Sequence, residues 1–336
     1  MNAPKNAASP AYRPLGNSGL IVSSVGLGCN NLGRAGTPTE GQEGTDAVIR
    51  AALEAGITLF DVADVYGKEP GTSERMFGRA LSRLGRDAED AVVVSKFGMD
   101  MKGANGADHG ARGSRRYVAR ALDASLERLG RDHIDLYFYH TPDGVTPPEE
   151  TLAALDDAVR AGKVRYLGHS NHSGWQIADA EHLARSSGGA RYIAAENHYN
   201  LLDRRAELEV LPAAERFGVG VLPYFPLANG LLTGKYRKGR APEGSRLSHS
   251  KRELLESTDW DQIERFVEFA QERGLSPVEV AFSWLASRPQ VASVIAGATS
   301  PEQVRANAAA ASWTPDEEDL AELDRIFPAP ARIALY

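Results

Sequence analysis

The chain has 336 residues, 42% of them hydrophobic, and a formal net charge of -7. Its Lys and Arg are dispersed, so it lacks the basic stripe that phosphate-backbone binding needs, and no apolar run approaches the roughly 20 residues of a membrane span; neither nucleic acid nor membrane is an expected partner. The single cysteine, Cys29, excludes an internal disulfide and a thiolate metal cluster, which suits a reducing compartment and makes the cytoplasm the expected location.

In chain order, residues 1–11 lack the apolar centre of a secretory signal and read as a disordered lead. Residues 12–22 hold two short apolar runs around Leu15-Gly16-Asn17-Ser18-Gly19, a hairpin pattern suited to closing the bottom of a barrel. From there, short β-rich runs alternate with stretches of helical period, as parallel strands joined by helical crossovers require. The runs are SVGLGC (24–29), ITLFD (57–61), AVVVSKF (91–97), IDLYFYH (134–140), VRYLGHS (164–170), YIAAENH (192–198), VGVLPYF (219–225) and VASVIAG (291–297). Apolar residues recur at three- and four-residue spacing over 45–54, 115–129, 149–160 and 301–310. Gly56, Gly130, Gly162 and Gly218 suit the left-handed position just beyond a helix end. Eight β/α units in about 280 residues predict a (β/α)8 TIM barrel rather than a doubly wound sheet with its glycine fingerprint. Residues 228–259, rich in Gly, Lys, Arg and Ser, predict a long functional loop after the seventh strand.

In such a barrel, chemistry sits at the C-terminal ends of the strands. Those ends carry Asp61, Lys96, His140, Ser170-Asn171, Glu196 and Tyr224. Solvent exposure alone also favours polar residues there; it is their convergence that points to a site. A metal-dependent hydrolase would need paired imidazoles after the first strand, which instead ends Gly28-Cys29-Asn30-Asn31. A Schiff-base lysine needs a lowered pKa, whereas Asp61 beside Lys96 would raise it. A proton-donating tyrosine fits better. Tyr66, in the loop after the second strand, is a weak acid that a cation at Lys96 would strengthen. Asp61 would hold Lys96 in place, and His140 would orient a substrate carbonyl. Asp64 has no role in this scheme.

The motifs LFDVADVYG followed by SE, VSKFG, DLYFYH, GHSN, YNLL, PLANGLLTGKY and SPEQVRAN occur in an order that resembles the aldo-keto reductase superfamily, in the branch similar to potassium-channel β subunits and bacterial stress-type reductases. The resemblance implies one barrel domain over residues 12–336 that uses NADP(H) to reduce an aldehyde or ketone reversibly, with hydride from nicotinamide C4 and a proton from Tyr66. It implies the same four catalytic residues, Asp61, Tyr66, Lys96 and His140. It further implies Ser170 and Asn171 on the nicotinamide carboxamide and Tyr224 against the ring. Lys235, Arg246 and the backbone of Pro226, Leu227, Ala228 and Gly230 would hold the phosphates, with Thr299, Gln303 and Asn307 near the adenosine end. The positive charge of Lys235 and Arg246 favours NADP(H) over NAD(H).

The chain departs from that family's pattern at several points. Glu196 stands in place of a glutamine, and a carboxylate there accepts from the carboxamide NH2 but does not donate. Ala306 replaces a glutamate, Gly297 and Gln303 replace a basic phosphate motif, and Asn30 replaces a tryptophan of the substrate pocket, making that pocket more polar or roomier. Tyr66 and His140 would also face the substrate. The other reading implied by the same branch is a non-catalytic NADP(H)-sensing subunit. Neither the substrate nor the oligomeric state follows from the motifs.

Overall fold

The computed structural model describes residues 9–239 and 252–331. A short antiparallel hairpin, β1 (Tyr12–Pro14) and β2 (Ile21–Ser23), precedes eight parallel strands. These are β3 (Val25–Gly28), β4 (Leu59–Asp61), β5 (Val92–Phe97), β6 (Ile134–Tyr139), β7 (Val164–Ser170), β8 (Tyr192–His198), β9 (Gly220–Tyr224) and β10 (Val294–Gly297). Each pairs with its sequence neighbour, and β10 pairs with β3. A parallel bridge between Val221 and Val291 joins the remaining edge, closing the barrel. The eight runs expected from sequence are these eight strands, shortened at some ends: residues 57–58 and 292–293 lie outside the ladders.

The crossovers are helical: α1 (Gln42–Glu54), α2 (Thr72–Leu84), α3 (Arg115–Leu129), α4 (Pro148–Arg160), α5 (Gly174–Ser187) and α6 (Val210–Phe217). The seventh connection holds α7 (Arg252–Glu256), α8 (Trp260–Glu272) and α9 (Pro277–Ala286), and the chain continues through α10 (Pro301–Ala309) and α11 (Glu317–Ile326). The predicted long loop is therefore partly helical, with a 3-10 turn at Ala228–Thr233 at its start. Gly130 and Gly218 cap α3 and α6 in the left-handed conformation, as their positions in sequence predicted.

The hairpin seals the N-terminal end. Leu15 is fully buried in a cluster with Val22, Leu59, Val94, Leu136, Phe138, Ala194, Leu222 and Ile295, the apolar filling of the barrel interior. The Asn17 amide donates to the Gly218 carbonyl at 2.7 Å, docking the turn against the start of β9.

This filling explains where the polar residues go. Side chains two residues apart on a strand point to the same face. Leu59, Val94, Phe138, Ala194 and Leu222 face the interior, so Asp61, Lys96, His140, Glu196 and Tyr224 occupy the next tier toward the C-terminal rim. On β7 the position below Ser170 is Gly168, where an added Cβ would lie 1.6 Å from the Phe138 ring. Phe138 thus fills the space that a side chain on β7 would have used.

Candidate active site

Lys96 is the centre of the polar tier and is fully buried. Its ammonium donates to Asp61 Oδ1, to Tyr66 Oη at 3.1 Å and to the Val62 carbonyl at 3.4 Å. Glu196 Oε2 lies 3.2 Å from the same nitrogen. Burial works against the Lys96 charge, but its anionic neighbours, Asp61 foremost, more than offset it and hold its pKa well above the ordinary value. That raised pKa keeps Lys96 cationic and disfavours a Schiff-base role.

Tyr66 reaches Lys96 because the chain beyond β4 keeps bonding to β5. The Val62 and Asp64 amides donate to the carbonyls of Val94 and Lys96, at 3.0 and 3.1 Å. The Ser73 amide then donates to the Tyr66 carbonyl at 3.1 Å, fixing the loop against the start of α2. Burial raises the Tyr66 pKa; the Lys96 charge opposes this, but Asp61 and Glu196 add to it. The expected strengthening of the phenol by Lys96 is thus outweighed, and Tyr66 carries its proton throughout the physiological range. His140 packs edge-on to the Tyr66 ring, centroids 5.8 Å apart. Burial, reinforced by the Lys96 charge, pushes its pKa well below the ordinary value, so the imidazole is neutral.

A cavity of about 930 Å³ opens above this group, lined by Asp61, Tyr66, His140 and Glu196 at its floor. Such a volume suits a cofactor with a substrate, since ligand sites commonly span about 300–1,000 Å³. Asn171, left-handed at φ 60, donates to the His140 carbonyl at 2.9 Å and accepts from the Tyr224 hydroxyl at 2.7 Å. His198 stacks on Tyr224, centroids 5.4 Å apart and planes 6° from parallel, supporting one face of a ring that also lines the cavity. Ser170 Oγ donates to the Glu196 carbonyl at 2.8 Å.

The wall continues through Pro226, Leu227, Gly230, Lys235, Gln303 and Asn307. Phe225, Ala228 and Asn229 all have positive φ, a concentration of costly backbone that marks functional loops. The Ala228 and Gly230 amides donate to Phe225 and Leu227 carbonyls within the loop, and Pro226 has no amide. Those positions offer a ligand less backbone hydrogen bonding than sequence suggested. Ala228 and Thr299 do not line the cavity. The Thr299 amide and hydroxyl donate to Gln303 Oε1 at 2.9 and 3.2 Å, while Ser300 caps α10. Arg246 lies outside the described residues. Asn30 lines the cavity at the seam between β3 and β10, where an added Cβ on Gly297 would lie 3.5 Å from its Oδ1.

Two sequence readings change. Glu196 is not a simple acceptor: burial and the Asp61 charge push its carboxyl up to about 8 against the pull of Lys96, so at neutral pH it carries a proton and can donate. Asp64, given no role from sequence, belongs to a buried network. It is fully buried and accepts from Asn105 at 3.1 Å, beside a Glu74–Arg128 pair at 2.5 Å. Sequence reasoning also passed over Arg34, Met99 and Thr141, all in the cavity wall. Met99 and Thr141 stand one or two residues beyond strand ends that had been recognised, and that adjacency was the available signal.

A parallel barrel with a tyrosine, a lysine, a carboxylate and a neutral histidine beneath a large cavity defines a class of carbonyl-directed oxidoreductases. The model of the Aldo/keto reductase family matches residues 24–327, and the chain belongs to that family. It is similar to "Uncharacterized oxidoreductase YrpG" of Bacillus subtilis (strain 168), 36% identical, covering 95% of this chain and 96% of the relative. It is also similar to "L-glyceraldehyde 3-phosphate reductase" of Escherichia coli O157:H7, 34% identical with 96% and 94% covered. "Putative voltage-gated potassium channel subunit beta" of Schizosaccharomyces pombe is again 34% identical with 96% and 94% covered. The protein is accordingly an oxidoreductase acting on carbonyl groups of small molecules, in a family that uses NAD(P)H. No helix among the described residues is long and apolar enough to cross a membrane.

Proposed function

We propose that this protein reduces an aldehyde or ketone to the alcohol with NADPH, reversibly, and that Tyr66 is the proton donor. The observation that carries the reading is the 3.1 Å hydrogen bond from the Lys96 ammonium to the Tyr66 hydroxyl at the cavity floor, beside a neutral His140. When bound, NADPH would supply the hydride to the carbonyl carbon. Tyr66 gives its proton to the carbonyl oxygen, and Lys96 stabilises the phenolate left behind. Asp61 keeps Lys96 charged and aimed. His140, uncharged, hydrogen-bonds the same oxygen and orients the carbonyl.

The residues in the wall suit a nicotinamide dinucleotide: Ser170, Asn171 and Glu196 for the carboxamide, Tyr224 for the ring, Lys235 and the 226–230 loop for the phosphates, Gln303 and Asn307 for the adenosine. Lys235 supports NADPH over NADH, and Arg246 would add to it. The single cysteine accords with a cytoplasmic location. In a panel of aldehydes run with NADPH and NADH in parallel, including a phosphorylated triose, Tyr66→Phe is expected to lose about 10²–10⁴-fold in turnover. Unchanged turnover would refute the assignment of Tyr66. The similarity to a relative named as a channel β subunit supports one other reading, a non-catalytic NADP(H) sensor. Tight NADPH binding with no turnover of any carbonyl would favour it.

A further inference from the structure

Lysine has three protons to donate, and in this site four acceptors compete for them. Asp61 Oδ1, the Tyr66 hydroxyl and the Val62 carbonyl accept from the Lys96 ammonium. Glu196 Oε2 is an ion-pair partner 3.2 Å from the same nitrogen and has no other donor among the described residues. The residue is 3% exposed, and that exposure is to the cavity it lines. A buried carboxylate whose one donor is shared with three other acceptors is costly. Either Glu196 takes up a proton of its own, or something bound in the cavity supplies the donor.

The charges that face Glu196 make this a defined alternative. Asp61 on β4 and Lys96 on β5 cancel each other. Tyr66, in the loop after β4, and Tyr224 on β9 are uncharged phenols, and His140 after β6 is an uncharged imidazole. Ionisation of Glu196 therefore turns a neutral cavity floor into one with a single negative charge. That charge reaches the cavity wall: after burial, it is the main influence raising the pKa of Tyr224.

The two redox forms of a nicotinamide differ in the same property. The oxidised ring is a cation and the reduced ring is neutral, while carboxamide, sugars and phosphates are common to both. We propose that Glu196 sets the preference of this site between oxidised and reduced nicotinamide cofactor. Ionised, it favours the cationic oxidised form; protonated, it donates to the carboxamide and favours neither. The inference rests on the NADP(H) reading above, and makes alcohol oxidation gain on carbonyl reduction as pH rises.

The test is binding, without turnover. Dissociation constants of NADP+ and NADPH are measured from pH 7 to pH 9.5 by calorimetry for the wild type and for Glu196→Gln, which keeps the shape and removes the charge. Titration of the shared phosphates cancels in the ratio. For the wild type, the ratio of the NADPH constant to the NADP+ constant should rise about tenfold across that range, the order expected for one nearby charge in a protein site. NADP+ binding near pH 7.5 should also release protons, seen as a heat that varies with the ionisation enthalpy of the buffer. In Glu196→Gln the ratio should be flat and the proton release absent. A flat wild-type ratio, or the same slope in the variant, would overturn the inference while leaving the cofactor reading intact. Failure of the wild type to bind either form would overturn both. Should the variant not fold, the wild-type ratio and its proton release decide alone.

Discussion

Asp61 and Tyr66 both bond the Lys96 ammonium, and their substitution should separate. Asp61 bonds Lys96 and not the phenol, so its effect on proton transfer passes through the lysine. Asp61→Asn keeps the shape and an acceptor oxygen, with Glu196 still 3.2 Å from Lys96. It is expected to retain more carbonyl-reducing turnover than Tyr66→Phe, measured as kcat on one good aldehyde. The opposite ranking would mean that Asp61 takes part in proton transfer directly. At this scale the sequence was highly legible, because strand-end residues are bound to converge once a barrel closes. What it did not carry is protonation state. Tyr66 and Glu196 both have their pKa raised by burial and by charges from other strands, quantities that no local pattern encodes.

At the scale of elements, the position of Tyr66 depends on a buried polar network that the motifs did not reveal. Ser95 on β5 donates to Glu74 Oε1 at 2.6 Å, and Arg128 on α3 bonds both Glu74 at 2.5 Å and Asn105 at 3.0 Å. Asn105 in turn bonds Asp64, whose carbonyl accepts from the Gly71 amide at 2.5 Å. The loop carrying Tyr66 is thereby fastened to α2, α3 and β5. Glu74 is fully buried, so removing its cation leaves an uncompensated charge. Arg128→Leu is expected to cost about 3–5 kcal/mol in urea unfolding and to lower kcat through a loosened Tyr66. A change below 1 kcal/mol, roughly the value of an exposed pair, would show that the network is not under load. Sequence placed Arg128 on a helix and gave Glu74 no element, and nothing in it paired them, since their separation in the chain is bridged only by the β/α crossover.

For the whole molecule, closure is the main event. The sequence specified eight strands by β-rich runs, four of the helices by apolar spacing, and several helix ends by glycine. It also specified the hairpin, whose docking now has a physical basis. Gly16 is left-handed at φ 57, and an added Cβ would lie 2.4 Å from the Gly218 carbonyl and 2.6 Å from the Gly220 amide. Gly16→Ala is expected to destabilise the barrel by about 1–3 kcal/mol, lowering Tm without changing KM, because the change is at the end of the barrel opposite the cavity. A raised KM would connect the two ends. Local pattern was enough to set the repeat, and with it the tier of residues two positions above the apolar filling, because side-chain direction along a strand alternates with a fixed period. What those residues do to one another was settled by packing in three dimensions. Lys96 shares its three protons among groups from one strand and the loop after it, and Glu196 arrives from the far side of the barrel to compete for them at 3.2 Å, a matter of distance across a closed interior.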